Sequence, residues 1–420
     1  MTQPYLRTFI CSLLFLAVAG CSSVAPKPNA DQADSRAKSN YHPVILVSLD
    51  GFKPDYLRRG VTPNLNQLAA NGVRAEAMRP SFPSITFPNH YTLVTGLRPD
   101  RNGIVGNTME DANIAGVRFS LGNQAAVIDH RWWDQAEPIW VTAEKNKVTT
   151  GIMFWPGSEA AIHGVLPSEY KPFDSKVTSD SRVDTMLSWL DKPVATRPGF
   201  LTVYFEEVDH AGHAFGPDTE EVTKAVAHVD LAIGRLMDGL RSRHINANVV
   251  IVSDHGMAAT SPDRTIALNK VATPSHYRVI TSGTYAGIEA NAGQEDALAS
   301  ELLKTHEHMQ CWKKENIPLR FHYGKNPRVP RFVCLADVGW LIVSGDKVGR
   351  QSNGGAHGYD NLSPEMQALF IANGPAFKQS MVLPAFDNVD VYPLLMKLIN
   401  LPALPSDGTI LPIQPALTLQ

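Results

Sequence analysis

The chain has 420 residues, a net charge of −3 and a hydrophobic content of 44%. That length exceeds one minimal domain and fits a single large α/β unit carrying an insertion, with enough apolar material for a core that needs no staples. No basic stripe accompanies the near-neutral charge, which argues against sequence-specific nucleic-acid binding; a small anionic substrate has to be met by local charge.

Arg7 precedes an apolar run from Phe9 to Ala19, followed by Gly20-Cys21. The run is too short to span a bilayer comfortably and reads as an export signal over residues 1–20. Val18-Ala19-Gly20-Cys21 resembles a bacterial lipobox, which implies cleavage before Cys21 and lipidation of that residue. An ordinary signal peptide ending near a cysteine is the other reading. Ser22 after the cysteine implies, by the same resemblance, the outer membrane. The expected location is the periplasmic side of the cell envelope, with membrane contact through the lipid anchor only; a soluble periplasmic or secreted protein is the alternative. Residues 21–40 are rich in Ser, Ala, Pro, Lys and Asp and read as a flexible tether. Cys11 leaves with the signal and Cys21 carries lipid, so Cys311 and Cys334 remain to pair as a disulfide in an oxidising compartment.

Folded sequence begins at Tyr41. Val44–Leu49 is an apolar run of strand length ending at Asp50-Gly51; Phe200–Phe205 is a second, ending shortly before Asp209; Asn248–Ser253 is a third, ending at Asp254-His255-Gly256. Runs apolar on both faces belong in a sheet covered by helices on each side. Helical patterns at Thr62 to Asn71 and Val222 to Leu240 alternate with them, which predicts a doubly wound, mostly parallel α/β sheet. From about Thr265 to Gly345 the texture changes to short alternating segments, one helix-like run (Glu295 to Glu307) and the Cys311/Cys334 pair. This stretch reads as a small inserted α+β subdomain. The catalytic α/β domain is then residues 41–264 and 346–410.

Each of the three buried runs delivers an acidic residue just past its carboxyl end, where sites form in open α/β sheets. Three carboxylates converging there repel one another unless cations lie between them. Asp50, Asp209, His213, Asp254, His255 and His357 are therefore the candidate ligands, and a mixed Asp/His set without cysteine suits Zn²⁺ in an open, catalytic site. Asp209 and His213 stand four apart in Asp-His-Ala-Gly-His, so a helix or tight turn puts both on one ion. Thr86, in Pro83-Ser84-Ile85-Thr86-Phe87-Pro88-Asn89-His90-Tyr91, lies at a helix start that Pro88 favours. Taken alone it reads as the helix N-cap; beside a metal its hydroxyl becomes a nucleophile.

The segments Ser48 to Phe52, Phe82 to Tyr91, Gly103 to Asn107, Phe154 to Ser158, Asp209 to Pro217, Ser253 to Met257 and Gly355 to Asn361, in that order, resemble the nucleotide pyrophosphatase/phosphodiesterase family of the alkaline phosphatase superfamily. The resemblance implies an alkaline phosphatase-like fold and two zinc ions per chain. Asp209, His213 and His357 would hold one; Asp50, Asp254, His255 and Thr86 would hold the other. It implies Thr86 as covalent nucleophile through a phospho-threonine intermediate, and Asn107 as donor to a non-bridging phosphate oxygen. Phe87 and Tyr204 would form a clamp for a nucleobase, with Trp155 bordering the same pocket. The implied partner is a small nucleotide diester or pyrophosphate, cleaved to a nucleoside 5′-monophosphate. His90 reads as packing behind Thr86, His210 as surface or outer layer, Asp360 as a residue that could orient His357, and Trp132-Trp133 as packing.

The rival readings are a phosphomonoesterase or lipid-headgroup diesterase of the same superfamily and, from another class, a non-catalytic binding lipoprotein on this fold. Monoesterases of the superfamily add an arginine close to the nucleophile, and none stands next to Thr86 in the sequence. Nothing in the sequence bears on oligomeric state or on which nucleotide is used.

Overall fold

The computed structural model describes residue 1, residues 42–345 and residues 353–418. The expected export signal, Cys21 and the tether lie outside the described residues. Residues 42–420 form one compact unit.

Among the described residues the central sheet has eight strands. In chain order these are β1 (Val44–Leu49), β2 (Val73–Ala75), β3 (Thr150–Met153), β4 (Glu169–Lys171), β5 (Phe200–Phe205) and β6 (Asn248–Val252). Two more, here β7 (Phe370–Asn373) and β8 (Met381–Leu383), complete it. The spatial order is β8-β2-β7-β6-β1-β5-β3-β4. All neighbours pair in parallel except β7, which runs antiparallel to both β6 and β2. The fold is thus α/β and alkaline phosphatase-like, with a mainly parallel sheet and several small accessory sheets.

The three long apolar runs occupy the middle of this sheet, where both faces are covered. Along β1, Val44 and Leu46 point into one core and Ile45, Val47 and Leu49 into the other. The second core is closed by α1 (Pro63–Ala70) and by the long helix Glu220–Ser242, whose buried positions Val222, Val226, Val229, Ile233, Leu236 and Leu240 recur at steps of three and four. The first core is closed by α2 (Thr86–Thr95) and by the C-terminal helix Val391–Leu398. The helix α3 (Glu207–Phe215) follows β5, and α4 (Glu220–Ser242) follows it. Thr219 caps α4 by accepting the Val222 N–H, with Glu220 and Glu221 in the positive first turn.

A four-stranded antiparallel sheet, in the order Tyr277–Thr281, Tyr285–Ala290, Phe332–Ala336, Met309–Lys313, falls within residues 265–345. Its alternation serves two cores. Tyr285, Val333 and Leu335 pack against the main body, while Ile288, Phe332 and Cys334 face the helix Glu295–Leu302 through Leu298 and Leu302. Cys311 and Cys334 are directly opposed on adjacent strands and are joined as a disulfide.

Candidate active site

The strand ends and helix starts converge on one point. Asp50 follows β1, Asp254 and His255 follow β6, Asp209 and His213 lie on α3, and Thr86 opens α2. His357 follows the short strand Gly354–Ala356, which pairs antiparallel with Ala258–Thr260. Gly51 makes the first of these turns possible: its φ is +67°, and a Cβ there would lie 3.1 Å from Asp209 Cα. A side chain there would crowd Asp209, so the glycine lets Asp50 and Asp209 approach closely.

Asp209 Oδ1 lies 3.5 Å from His213 Nε2 and 3.4 Å from His357 Nε2, and the two Nε2 atoms are 3.0 Å apart. On the other side, His255 Nε2 lies 2.9 Å from Asp254 Oδ2, 3.4 Å from Asp50 Oδ1 and 3.3 Å from Thr86 Oγ1. Asp50, Asp254 and His255 form one possible metal-binding group, and Asp209 with His255 and His357 a second, each with its ligand atoms within 4.8 Å of one another. His255 is close enough to serve either, its ring stacked on that of His357 at 3.5 Å.

The tautomers explain why these atoms face each other. His213 Nδ1 donates to Gly355 O, His357 Nδ1 to Ser84 O and His255 Nδ1 to Gly256 O. A carbonyl can only accept, so Nδ1 carries a proton in each ring and Nε2 is the nitrogen that faces the centre. The carboxylates behave alike. Asp50 Oδ2 accepts the Tyr204 hydroxyl at 2.6 Å and Asp254 Oδ1 accepts the Gly51 N–H, while Asp50 Oδ1, Asp254 Oδ2 and Asp209 Oδ1 are buried without a hydrogen-bond donor. His255 Nε2 comes near Asp254 Oδ2 without hydrogen-bond geometry. Lone pairs and orphaned carboxylate oxygens aimed at shared points are costly unless cations lie there. The donor set therefore fits bound metal.

Electrostatics point the same way. Burial, then the Asp254 and Asp209 charges, push the Asp50 carboxyl well above its ordinary range, and burial raises that of Asp209. Burial would also raise Asp254, but His255 and then His90 outweigh it and hold it low. Burial and the neighbouring His255 and His213 keep His357 neutral.

Thr86 is the first residue of α2 rather than its cap. Ile85 occupies the cap position, and no side chain caps the helix. The Thr86 hydroxyl turns to His255 instead, which corrects the N-cap reading. Asn107 Oδ1 accepts the Phe87 N–H at 2.9 Å, so its amide nitrogen is directed away from that bond and makes no hydrogen bond among the described residues. Phe87 is half-buried against Phe119 and Trp133. Tyr204 is half-buried, its ring against His90 and Phe173. Trp155 corrects an expectation: it is 2% exposed and donates its indole N–H to His90 O. It packs behind α2 and presents no surface to a ligand. Asp360 does not orient His357; it forms a two-pronged pair with Arg320, and Ser84 O holds the histidine. His210 is exposed and Trp132-Trp133 are buried, as read from the sequence.

Several residues support the site from behind, and His90 packs behind Thr86 as read from the sequence. His90 accepts the Ser48 hydroxyl at Nε2 and donates from Nδ1 to Thr86 O, with that nitrogen 3.4 Å from Asp254 Oδ2. Asn89 accepts the Ser81 N–H and donates to Pro83 O and Ile85 O, pinning the turn that presents Thr86. Glu206, just before α3, is buried against Arg182, whose guanidinium also donates to Tyr204 O at 2.8 Å.

The chain is similar to several known proteins. The family model for type I phosphodiesterase / nucleotide pyrophosphatase matches residues 44–360. An uncharacterized pyrophosphatase/phosphodiesterase of Schizosaccharomyces pombe is 41% identical over 381 residues, 87% of this chain and 78% of that protein. Ectonucleotide pyrophosphatase/phosphodiesterase family member 3 of Bos taurus is 38% identical over 87% of this chain, which spans only 43% of that longer protein. Murine ectonucleotide pyrophosphatase/phosphodiesterase 5, solved as an inactive threonine-to-alanine variant in complex with AMP, superposes with a TM-score of 0.86 at 35% identity, covering 90% of this chain and 100% of that one. The chain belongs to the type I phosphodiesterase/nucleotide pyrophosphatase family.

Proposed function

We propose that this chain is a two-zinc hydrolase that cleaves nucleotide phosphodiester or pyrophosphate bonds and releases nucleoside 5′-monophosphates. The observation that carries the reading is the buried hydroxyl of Thr86 beside three orphaned carboxylate oxygens and three inward Nε2 atoms. The AMP bound to the murine relative supports a nucleotide product.

Asp209, His213 and His357 would hold one ion, and Asp50, Asp254 and His255 the other, with Thr86. Bound there, zinc supplies Lewis acidity that ionises a hydroxyl at neutral pH and offsets the phosphoryl charge. Thr86 Oγ1 attacks phosphorus in line and loses its proton to solvent; the bond to the leaving oxygen breaks, that oxygen departs with the electron pair, and a nucleotidyl ester is left on Thr86. Water then attacks the same phosphorus, the Oγ1–P bond breaks, and the monophosphate departs as the threonine regains a proton. Asn107 Nδ2 donates to a non-bridging oxygen, and the Thr86 N–H at the start of α2 favours the anion. Phe87, backed by Phe119 and Trp133, offers a ring face to the nucleobase, with Tyr204 as the second wall.

Purified protein loaded with zinc is expected to hydrolyse a nitrophenyl ester of a nucleoside monophosphate far faster than nitrophenyl phosphate. Faster monoester turnover would make it a phosphomonoesterase, and no turnover of either would make it a binding protein.

The proposal for location rests on Arg7, the apolar run and Val18-Ala19-Gly20-Cys21: an exported lipoprotein held on the periplasmic side of the envelope by Cys21. Among the described residues no helix is long and apolar enough to cross a membrane. Fatty-acid labelling of the chain that persists in Cys21→Ala would exclude that anchor.

A further inference from the structure

Tyr204 stands on β5, one residue before its end, and its hydroxyl donates to Asp50 Oδ2 at 2.6 Å. That bond occupies one oxygen of Asp50 and leaves Oδ1 buried with no donor, 3.4 Å from His255 Nε2. A free carboxylate could turn either oxygen, or both, toward the centre. Here the choice is made by a donor on the neighbouring strand: Ser48 pairs with Tyr204 across the β1–β5 ladder, so the phenol reaches the residue two positions on from its partner. The Tyr204 backbone is itself tied down, its carbonyl accepting from the buried Arg182 that grips Glu206. The ring is wedged against His90, which in turn holds Thr86 O.

We infer that Tyr204 is a positioning residue for the metal site: its hydroxyl holds Asp50 in a one-oxygen ligating posture, and the aromatic ring alone does not explain its place. Donors to the non-ligating atoms of metal ligands fix ligand orientation, and removing one weakens metal affinity by roughly 10- to 100-fold. This inference rests on the two-zinc reading above.

The test is a zinc titration of the purified full chain against a chromophoric chelator, comparing wild type with Tyr204→Phe, which keeps the ring and deletes the donor. The expected result is that one of the two ions binds roughly 10- to 100-fold more weakly in the variant. Activity is then lost at limiting zinc and regained as zinc is raised. A variant titration superimposable on the wild type overturns the inference, whatever its activity. So does a variant whose metal-free form melts lower while its zinc affinity is unchanged, since the hydroxyl would then serve the fold only. Wild-type protein that takes up no zinc overturns the two-zinc reading itself, a result separable from the others because it appears before any substitution is made.

Discussion

At the scale of single residues, the site is a set of groups each bound on one side and bare on the other. Asn107 illustrates the logic. Its Oδ1 is committed to the Phe87 N–H, so the amide cannot flip, and Nδ2 is the only group it can present to substrate. Asn107→Ala is expected to lower kcat/KM for a nucleotide diester roughly 10²-fold, as loss of one oxyanion donor does elsewhere. Steady-state kinetics at saturating zinc checks this, and an unchanged kcat/KM would remove Asn107 from the chemistry. What the sequence made legible at this scale was the convergence of Asp50, Asp209 and Asp254, because acids just past the ends of apolar runs are visible without a structure. Asn89 and the Ser84 carbonyl were not legible as supports, because their bonds to the Ser81 N–H and to the distant His357 involve backbone atoms. Trp155 misled for a related reason: an aromatic beside a motif reads the same whether it lines a pocket or backs one.

At the scale of elements, position is held by buried polar anchors at helix ends. Arg182, from the helix Ser179–Leu190, grips Glu206 immediately before α3, and α3 carries Asp209 and His213. Breaking a buried pair from one side leaves an uncompensated charge, at a cost of about 3–5 kcal/mol. Arg182→Ala should lower the urea midpoint accordingly, and a midpoint equal to wild type would show the pair to be idle. Asp390 anchors the C-terminal helix, accepting the Thr409 N–H at 2.8 Å. Burial, with Asp387 adding to it, raises this carboxyl from the usual 3.8 to about 6. Its folded value thus exceeds its unfolded one, so the contribution to stability is fully present below about pH 4 and is lost as pH rises through 6. Asp390→Asn should therefore gain on wild type by ~3 kcal/mol between those limits and by a constant amount above them. Parallel unfolding curves across that range would contradict it. Elements with long apolar runs or full helical periods were legible: β1, β5, α1 and α4 lie within a residue or two of their predicted bounds. The sheet edges were not. β2, β7 and β8 have three or four residues each, too few for a period to register, and the reversed direction of β7 is set by pairing rather than by composition.

At the scale of the whole molecule, the parallel centre of the sheet explains why one chain can bring residues 50, 86, 209, 254 and 357 together. β5, β1 and β6 are adjacent and parallel, so their carboxyl ends open on the same edge. The remaining contributions arrive on helix starts and on one short ladder laid across that edge. Residues 265–345 brace this arrangement from outside: Thr284, in the turn between two strands, donates to the His357 carbonyl, and Arg320, in the short helix Leu319–Phe321, clamps Asp360 three residues on. On the function proposed above, this architecture would make Thr86 a transient covalent carrier. That role is tested most directly by mixing zinc-loaded protein with a nucleotide diester, quenching in acid within the first turnover and mapping the peptides by mass spectrometry. A nucleotidyl adduct is expected on the peptide containing Thr86 and is expected to be absent from Thr86→Ala. Full turnover with no adduct, or an adduct and turnover that survive in Thr86→Ala, would contradict it.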